Sequence, residues 1–152
     1  MEVKESDITT IIGVDPGVTT GLCICRVSPD QDSPGEYVVS VEGFIETSLL
    51  DIFEHMDTAI SNLDAELVVI ESIVHSGYLN KEKVTQIRAH ERAVTMADYW
   101  GIPVEEVTPQ EVKRITCLDS DVKGNHARDA YRVIMAYLVK KNAQNVAKHN
   151  AR

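Results

Sequence analysis

The strongest constraint on the fold is a change of hydrophobic period along the chain. Residues 8–14 form a β-branched run, residues 21–27 resume it after a Pro-Gly turn, and residues 37–45 follow a second turn rich in Pro, Asp and Ser. Three strand-like segments joined by short connections predict an antiparallel meander. The chain therefore begins as a sheet and not as a helical bundle.

From Leu49 onward the apolar period is that of a helix. Apolar side chains recur at three- and four-residue steps and predict one buried stripe. That stripe consists of Leu49, Ile52, Phe53, Met56, Ala59, Ile60 and Leu63. Residues 67–70 then form a short continuous apolar run, which is typical of a strand buried on both faces.

Helix and strand patterns continue to alternate after this run. Residues 81–100 predict a second helix, with a buried stripe made of Ala89, Ala93, Met96 and Trp100. Residues 102–107 predict a fifth strand, Thr108-Pro109 begins a short helix, and a last helix covers about 125–141. This order predicts an α/β fold with a mixed five-stranded sheet, in which three antiparallel strands precede βα crossovers and helices flank the sheet.

Length and composition limit the number of domains and the class of protein. The 152 residues suffice for one core, so we predict one domain over 1–141 and a polar, basic C-terminal tail, frayed in solution, over 142–152. No apolar run approaches the roughly 18 residues of a membrane span, and no signal peptide precedes the first strand, so we expect a cytoplasmic protein without membrane contact. The three cysteines lack zinc-site spacing and are expected to be reduced.

Two carboxylates end apolar strands. Asp15 follows the first run, and Glu71 follows Val69-Ile70 in the fourth. An acid at the end of a buried strand is partly desolvated, which is costly unless a cation or hydrogen-bond donors compensate it. Either acid alone is explained as well by a role in capping a turn or the next helix.

A third acidic position lies at the start of the last helix. His126 and Asp129 are three residues apart, so their side chains share one helical face. Taken alone, this pair is explained by a favourable carboxylate near the helix N-terminus and a solvated histidine. Together with Asp15 and Glu71, it supplies hard oxygen ligands suited to Mg²⁺ or Mn²⁺, with His126 as a further ligand or a proton shuttle.

These segments resemble, in the same order, the three motifs of the RuvC family. The matching segments are Ile12-Gly13-Val14-Asp15-Pro16-Gly17 with Thr20-Gly21, Val69-Ile70-Glu71, and His126-Ala127-Arg128-Asp129-Ala130. Members of that family have an RNase H-like fold and resolve four-way (Holliday) DNA junctions. The resemblance, over about residues 8–138, implies that Asp15, Glu71, His126 and Asp129 are catalytic and hold two Mg²⁺ or Mn²⁺ ions per active site.

Candidate DNA contacts come from the basic side chains. Residues 122–152 contain seven Lys and Arg residues and one acidic residue, although the whole chain has a net charge of −9. The segment 106–113 resembles the family's stretch before its basic helix, and the loop before residue 126 is shorter than in the family. The candidates are Lys81, Arg88, Arg92, Lys113, Lys123 and Arg128, with Tyr78 as a residue that could stack on a base. A solvated helix face explains Lys81, Arg88 and Arg92 equally well.

The resemblance implies a metal-dependent endonuclease that cuts branched DNA as a homodimer. Three other interpretations stay open: an RNA or RNA–DNA hybrid nuclease of the YqgF or RNase H type, a nucleotide-binding module like one lobe of actin, and an inactive DNA-binding scaffold. Whether Asp119 or Asp121 joins the metal site also stays open, because the loop that holds them cannot be placed from the sequence.

Overall fold

The computed structural model of the protein describes residues 8–73, 77, 79–115 and 124–150, with the backbone alone for 143–150. The elements in chain order are β1 (Thr9–Asp15), β2 (Thr19–Pro29), β3 (Tyr37–Ser48), α1 (Ile52–Leu63), β4 (Leu67–Glu71), α2 (Lys81–Tyr99), β5 (Val104–Val107), α3 (Pro109–Lys113) and α4 (Asn125–Asn150). Tyr78, Asp119, Asp121 and Lys123, which the sequence analysis singled out, lie outside the described residues.

The strands form one mixed sheet in the order β3-β2-β1-β4-β5. Strand β2 is antiparallel to both β1 and β3, whereas β1, β4 and β5 are parallel to one another. The predicted meander followed by crossovers is confirmed. As a consequence β1, β3, β4 and β5 all run in the same direction, so their carboxyl ends lie at one edge of the sheet.

Helices cover both faces of this sheet. Strand β1 sends Ile12 and Val14 into the core under α1 and α2, and Ile11 into the core under α4. All three side chains are at most 2 % exposed. The alternation follows from the pleat, because successive residues of a strand point to opposite faces. Gly13 and Asp15 lie two and four residues after Ile11 on the same strand, so the Asp15 side chain also faces α4.

Two glycines bring α4 into direct contact with the sheet. A Cβ atom on Gly13 would lie 2.4 Å from the carbonyl oxygen of Ala130, and one on Gly21 would lie 1.9 Å from the carbonyl oxygen of His126. Neither distance is possible for a real side chain, so only glycine permits this approach. The glycines of the first motif thus set how closely the first turns of α4 lie to β1 and β2.

The buried stripes differ from the prediction at their ends. The buried residues of α2 are Ala89, Ala93 and Ala97, whereas Trp100 is 41 % exposed and its indole Nε1–H donates to Asp57 Oδ1 over 2.9 Å. The helix ends at Tyr99, and Gly101 at φ +69° turns the chain, so Trp100 no longer follows the helical stripe.

Helix α1 also buries less than its full predicted stripe. It begins at Ile52 and not at Leu49, and it buries Ile52, Met56 and Ile60. Phe53 and Leu63 lie at the margin of the stripe, where each remains 37 % exposed. The short α3 begins as predicted, with a capping box in which Thr108 and Glu111 each satisfy the other's backbone N–H.

Helix α4 continues past Lys141, near which its end was predicted, to Asn150. Residues 142–150 contain neither proline nor glycine, so no residue type that usually ends a helix interrupts it. Cys23 and Cys25 are buried on the α4 face of β2, where their thiols form a hydrogen bond with the Sγ atoms 3.7 Å apart and no disulfide joins them. Among the described residues, no helix has the length and apolar character needed to cross a membrane.

Candidate metal centre at the carboxyl edge of the sheet

Three carboxylates lie in one row across the sheet. Asp15 is paired with Gly21, and Gly21 is paired with Glu46 on β3. Glu71 follows Ile70, the partner of Val14, and so lies beside Asp15 on β4. Residues directly opposite each other on paired strands present their side chains to the same face. The row of Glu46, Gly21, Asp15 and Glu71 therefore faces the start of α4.

Asp15 and Glu71 are in contact. The pKa of Asp15 is raised from 3.8 to about 8, first by burial, then by a hydrogen bond to Glu71, and further by the charges of Glu71 and Asp129. A carboxyl group with such a pKa keeps its proton at neutral pH. The strand ends thus hold two acids joined by a hydrogen bond, and the charge of a third acid, Asp129, acts on Asp15.

The raised pKa of Asp15 and the closeness of the other two acids are the observations that suggest a divalent cation at this position. Two touching carboxylates with a third nearby concentrate negative charge at the strand ends, and hard oxygen donors are the ligands that Mg²⁺ and Mn²⁺ prefer. Within the described ranges, however, no three His, Cys, Asp or Glu side chains are gathered closely enough to coordinate a single ion. The residues therefore fit the cation by their chemistry, while Asp129 and His126 make other contacts.

Those other contacts involve two residues that the sequence analysis did not place in the site. Asp129 Oδ1 accepts a hydrogen bond from Arg132 Nη1 over 3.0 Å. His126 Nε2 lies 4.0 Å from Glu46 Oε2. His126 and Asp129 thus both face the carboxyl edge of the sheet, but each is turned towards a partner other than the pair of strand-end acids.

Glu46 was missed because a bulge in β3 reverses the alternation. Val41 pairs with Cys25 on the α4 face, and the next registered pair joins Gly43 to Ile24, so Glu42 is skipped. A regular strand would place residue 46 on the face opposite to residue 41, whereas the extra residue puts both on the same face. The strand pattern alone thus assigns Glu46 to the wrong face.

The predicted DNA contacts have different environments. Lys81, Arg88 and Lys113 are exposed, and Arg128 is half-buried near the start of α4. Arg92 donates to the backbone carbonyl of Leu49, and its guanidinium lies 5.4 Å from the centre of the Phe53 ring. Arg92 therefore joins α2 to the start of α1, which gives it a structural role whether or not it contacts DNA.

The raised pKa of Asp15 predicts that the metal-free protein becomes less stable with rising pH. Asp15 has a pKa of about 8 in the fold against 3.8 for the ordinary side chain, so the folded state keeps a proton that the unfolded chain releases. The stabilisation from this group is complete below about pH 4 and is lost as the pH rises through about 8. Urea unfolding in chelator, at several values between about pH 5 and about pH 9, measures it. The loss should be smaller in Asp15→Asn, and an equal loss in both proteins would contradict the assignment.

Holliday junction resolvases are among the solved structures similar to this one. Thermus thermophilus RuvC, determined alone and in complex with a Holliday junction substrate, matches with a TM-score of 0.68 at 15 % identity, over 88 % of this chain and 96 % of RuvC. The yeast mitochondrial Holliday junction resolvase Ydc2 matches with a TM-score of 0.56 at 11 % identity, over 93 % of this chain and 82 % of Ydc2. No protein-family model and no curated protein sequence matches the chain. The chain therefore has a RuvC-like, RNase H-like fold, as its motifs implied.

Proposed function

We propose that the protein is a metal-dependent endonuclease that hydrolyses phosphodiester bonds in branched DNA and resolves four-way junctions. The observation that carries this proposal is the contact between Asp15 and Glu71, with Asp129 close by, at the carboxyl edge of the sheet. Two partly buried acids in contact are costly to ionise without compensation, and a divalent cation supplies that compensation.

The ligands would be Asp15, Glu71 and Asp129, with His126 as a fourth ligand or as a group that moves a proton. Two divalent ions, when bound, would activate water and stabilise the leaving oxygen of a phosphodiester. Asp15 must first give up its own proton, which its raised pKa retains at neutral pH. Burial keeps bulk water from screening the Asp15 charge, so the carboxylate attracts a cation strongly once it is ionised.

Branched DNA is proposed as the substrate because the similar solved structures are Holliday junction resolvases, and exposed basic side chains on α2 and α3 could contact its phosphates. Lys81 and Arg88 lie seven residues apart on one side of α2, and Lys113 ends α3. Such side chains would contact phosphates and make binding weaken with salt. A four-way junction has two strands to cut at symmetric places, so we propose that two copies of the chain act together as a homodimer.

A panel of substrates tests the proposal. Four-way junction DNA, linear duplex and an RNA–DNA hybrid would each be incubated with Mg²⁺, Mn²⁺, Ca²⁺ or chelator. We expect cleavage of the junction in Mg²⁺ or Mn²⁺ and none in chelator. Preference for the hybrid would favour the RNase H-type interpretation. Absence of cleavage of every substrate, with no Mn²⁺ binding by calorimetry, would leave only a binding role for the fold.

A further inference from the structure

Arg132 brings a cation to the acidic edge of the sheet. It lies one helical turn after Asp129 on α4, and its Nη1 is 3.0 Å from Asp129 Oδ1. Helical side chains lean towards the N-terminus of their helix. The guanidinium accordingly extends back along α4 to Asp129, the acid whose charge acts on Asp15.

This ion pair differs from an ordinary pair on a helix surface. The Arg132 side chain is only 32 % exposed. Its Nε is buried and, among the described residues, has no hydrogen-bond partner. A guanidinium remains charged at any ordinary pH and has five N–H donors, so leaving a buried donor without an acceptor is unfavourable. Buried donors without partners in a native fold call for an explanation, and one explanation is an acceptor that arrives with the substrate.

The acceptor that best fits such a group is a phosphate. A guanidinium presents its N–H donors in a planar fork that matches two phosphate oxygens. If Asp129 binds a cation, its carboxylate no longer depends on Arg132 for charge compensation, and the guanidinium becomes available to an incoming anion. The same arginine would thus neutralise Asp129 in the metal-free protein and a DNA phosphate in the loaded one.

We propose that Arg132 is a phosphate-binding residue of this site, held on Asp129 until a metal ion and DNA arrive. The inference rests on the proposed function, because it takes a nucleic-acid phosphate as the ligand. It also has a consequence for metal binding alone. Removing the guanidinium removes a competitor for the Asp129 carboxylate, so Mn²⁺ should bind somewhat more tightly to the DNA-free protein.

The experiment compares Arg132→Gln and Arg132→Lys with the wild type. Junction DNA binding would be titrated in Ca²⁺ at several salt concentrations, and Mn²⁺ binding would be measured by calorimetry without DNA. For Arg132→Gln we expect about tenfold weaker DNA binding and a salt dependence reduced by about one phosphate contact. Arg132→Lys should retain the salt dependence while losing affinity, because it keeps the charge and lacks the planar fork.

The matched control is Arg26→Gln, which removes an exposed arginine from β2. Arg26 is paired with Thr10 near the start of β1, at the end of the sheet far from Asp15. We expect it to leave both DNA affinity and salt dependence unchanged. If Arg26→Gln and Arg132→Gln lost DNA affinity equally, the effect would come from the change in net charge, and the proposal would be overturned.

Two further outcomes would also overturn it. Unchanged DNA binding in Arg132→Gln would show that Arg132 does not contact a phosphate. If Mn²⁺ binding were also weaker in this variant, the role of Arg132 would be only to position Asp129. If instead the wild type binds neither Mn²⁺ nor junction DNA, the proposed function itself fails. Arg132→Lys keeps the ion pair with Asp129 possible, so it still tests the proposal if Arg132→Gln does not fold.

Discussion

Replacing Asp15 with Asn is expected to lower metal-dependent cleavage of a four-way junction by at least about 10³-fold, with junction binding nearly unchanged. Asparagine keeps the shape of the side chain and loses the charge that a cation needs. The same substitution should stabilise the metal-free protein at about pH 8 by roughly 1–3 kcal/mol, because it removes a partly buried carboxyl whose pKa is raised to about 8. Cleavage assays and urea unfolding in chelator measure the two effects.

The opposite signs of the two effects make this prediction specific. A substitution that merely damages the fold lowers activity and stability together. Asp64→Asn is the matched control, because Asp64 is exposed at the end of α1 and has a positive φ of 51° that asparagine also tolerates. Its activity and stability should remain those of the wild type. Full cleavage by Asp15→Asn would remove the basis of the nuclease proposal.

Replacing Gly21 with Ala is expected to destabilise the fold by roughly 2–4 kcal/mol and to reduce cleavage by about 10²-fold or more. The new Cβ would lie 1.9 Å from the carbonyl oxygen and 2.3 Å from the carbonyl carbon of His126. Both are backbone atoms and cannot rotate away, so the first turn of α4 must move off the sheet. His126 and Asp129 would move with it, away from Asp15.

Gly43→Ala separates this effect from a general cost of replacing glycine in the sheet. Gly43 lies on β3, and a Cβ there would meet Ile24 Cδ1 at 3.6 Å, an ordinary packing distance. We expect little change in stability or cleavage. Thermal unfolding and junction cleavage of both variants test the pair, and wild-type cleavage by Gly21→Ala would show that the close approach of α4 is unimportant for the site.

The acids at strand ends were predictable from the sequence because their signal is local. Asp15 and Glu71 each follow an uninterrupted apolar run, and parallel strands bring their carboxyl ends to one edge of a sheet, so the amino-acid pattern predicts that the two acids are neighbours. His126 and Asp129 were predictable as neighbours on one helical face. Of their partners, Arg132 is one helical turn from Asp129, so the same spacing argument applies to it, whereas Glu46 lies on a distant strand and carries no motif.

The order of strands and helices, the mixed sheet and the two strand-end acids followed from the sequence alone, because hydrophobic period and turn residues act over a few neighbouring positions. Only the tertiary structure decided which way Glu46 faces and that Trp100 is exposed. Each of these depends on a shift by one residue or on the point where a helix ends. Such details are settled by packing between distant segments, as Gly21 against His126 illustrates.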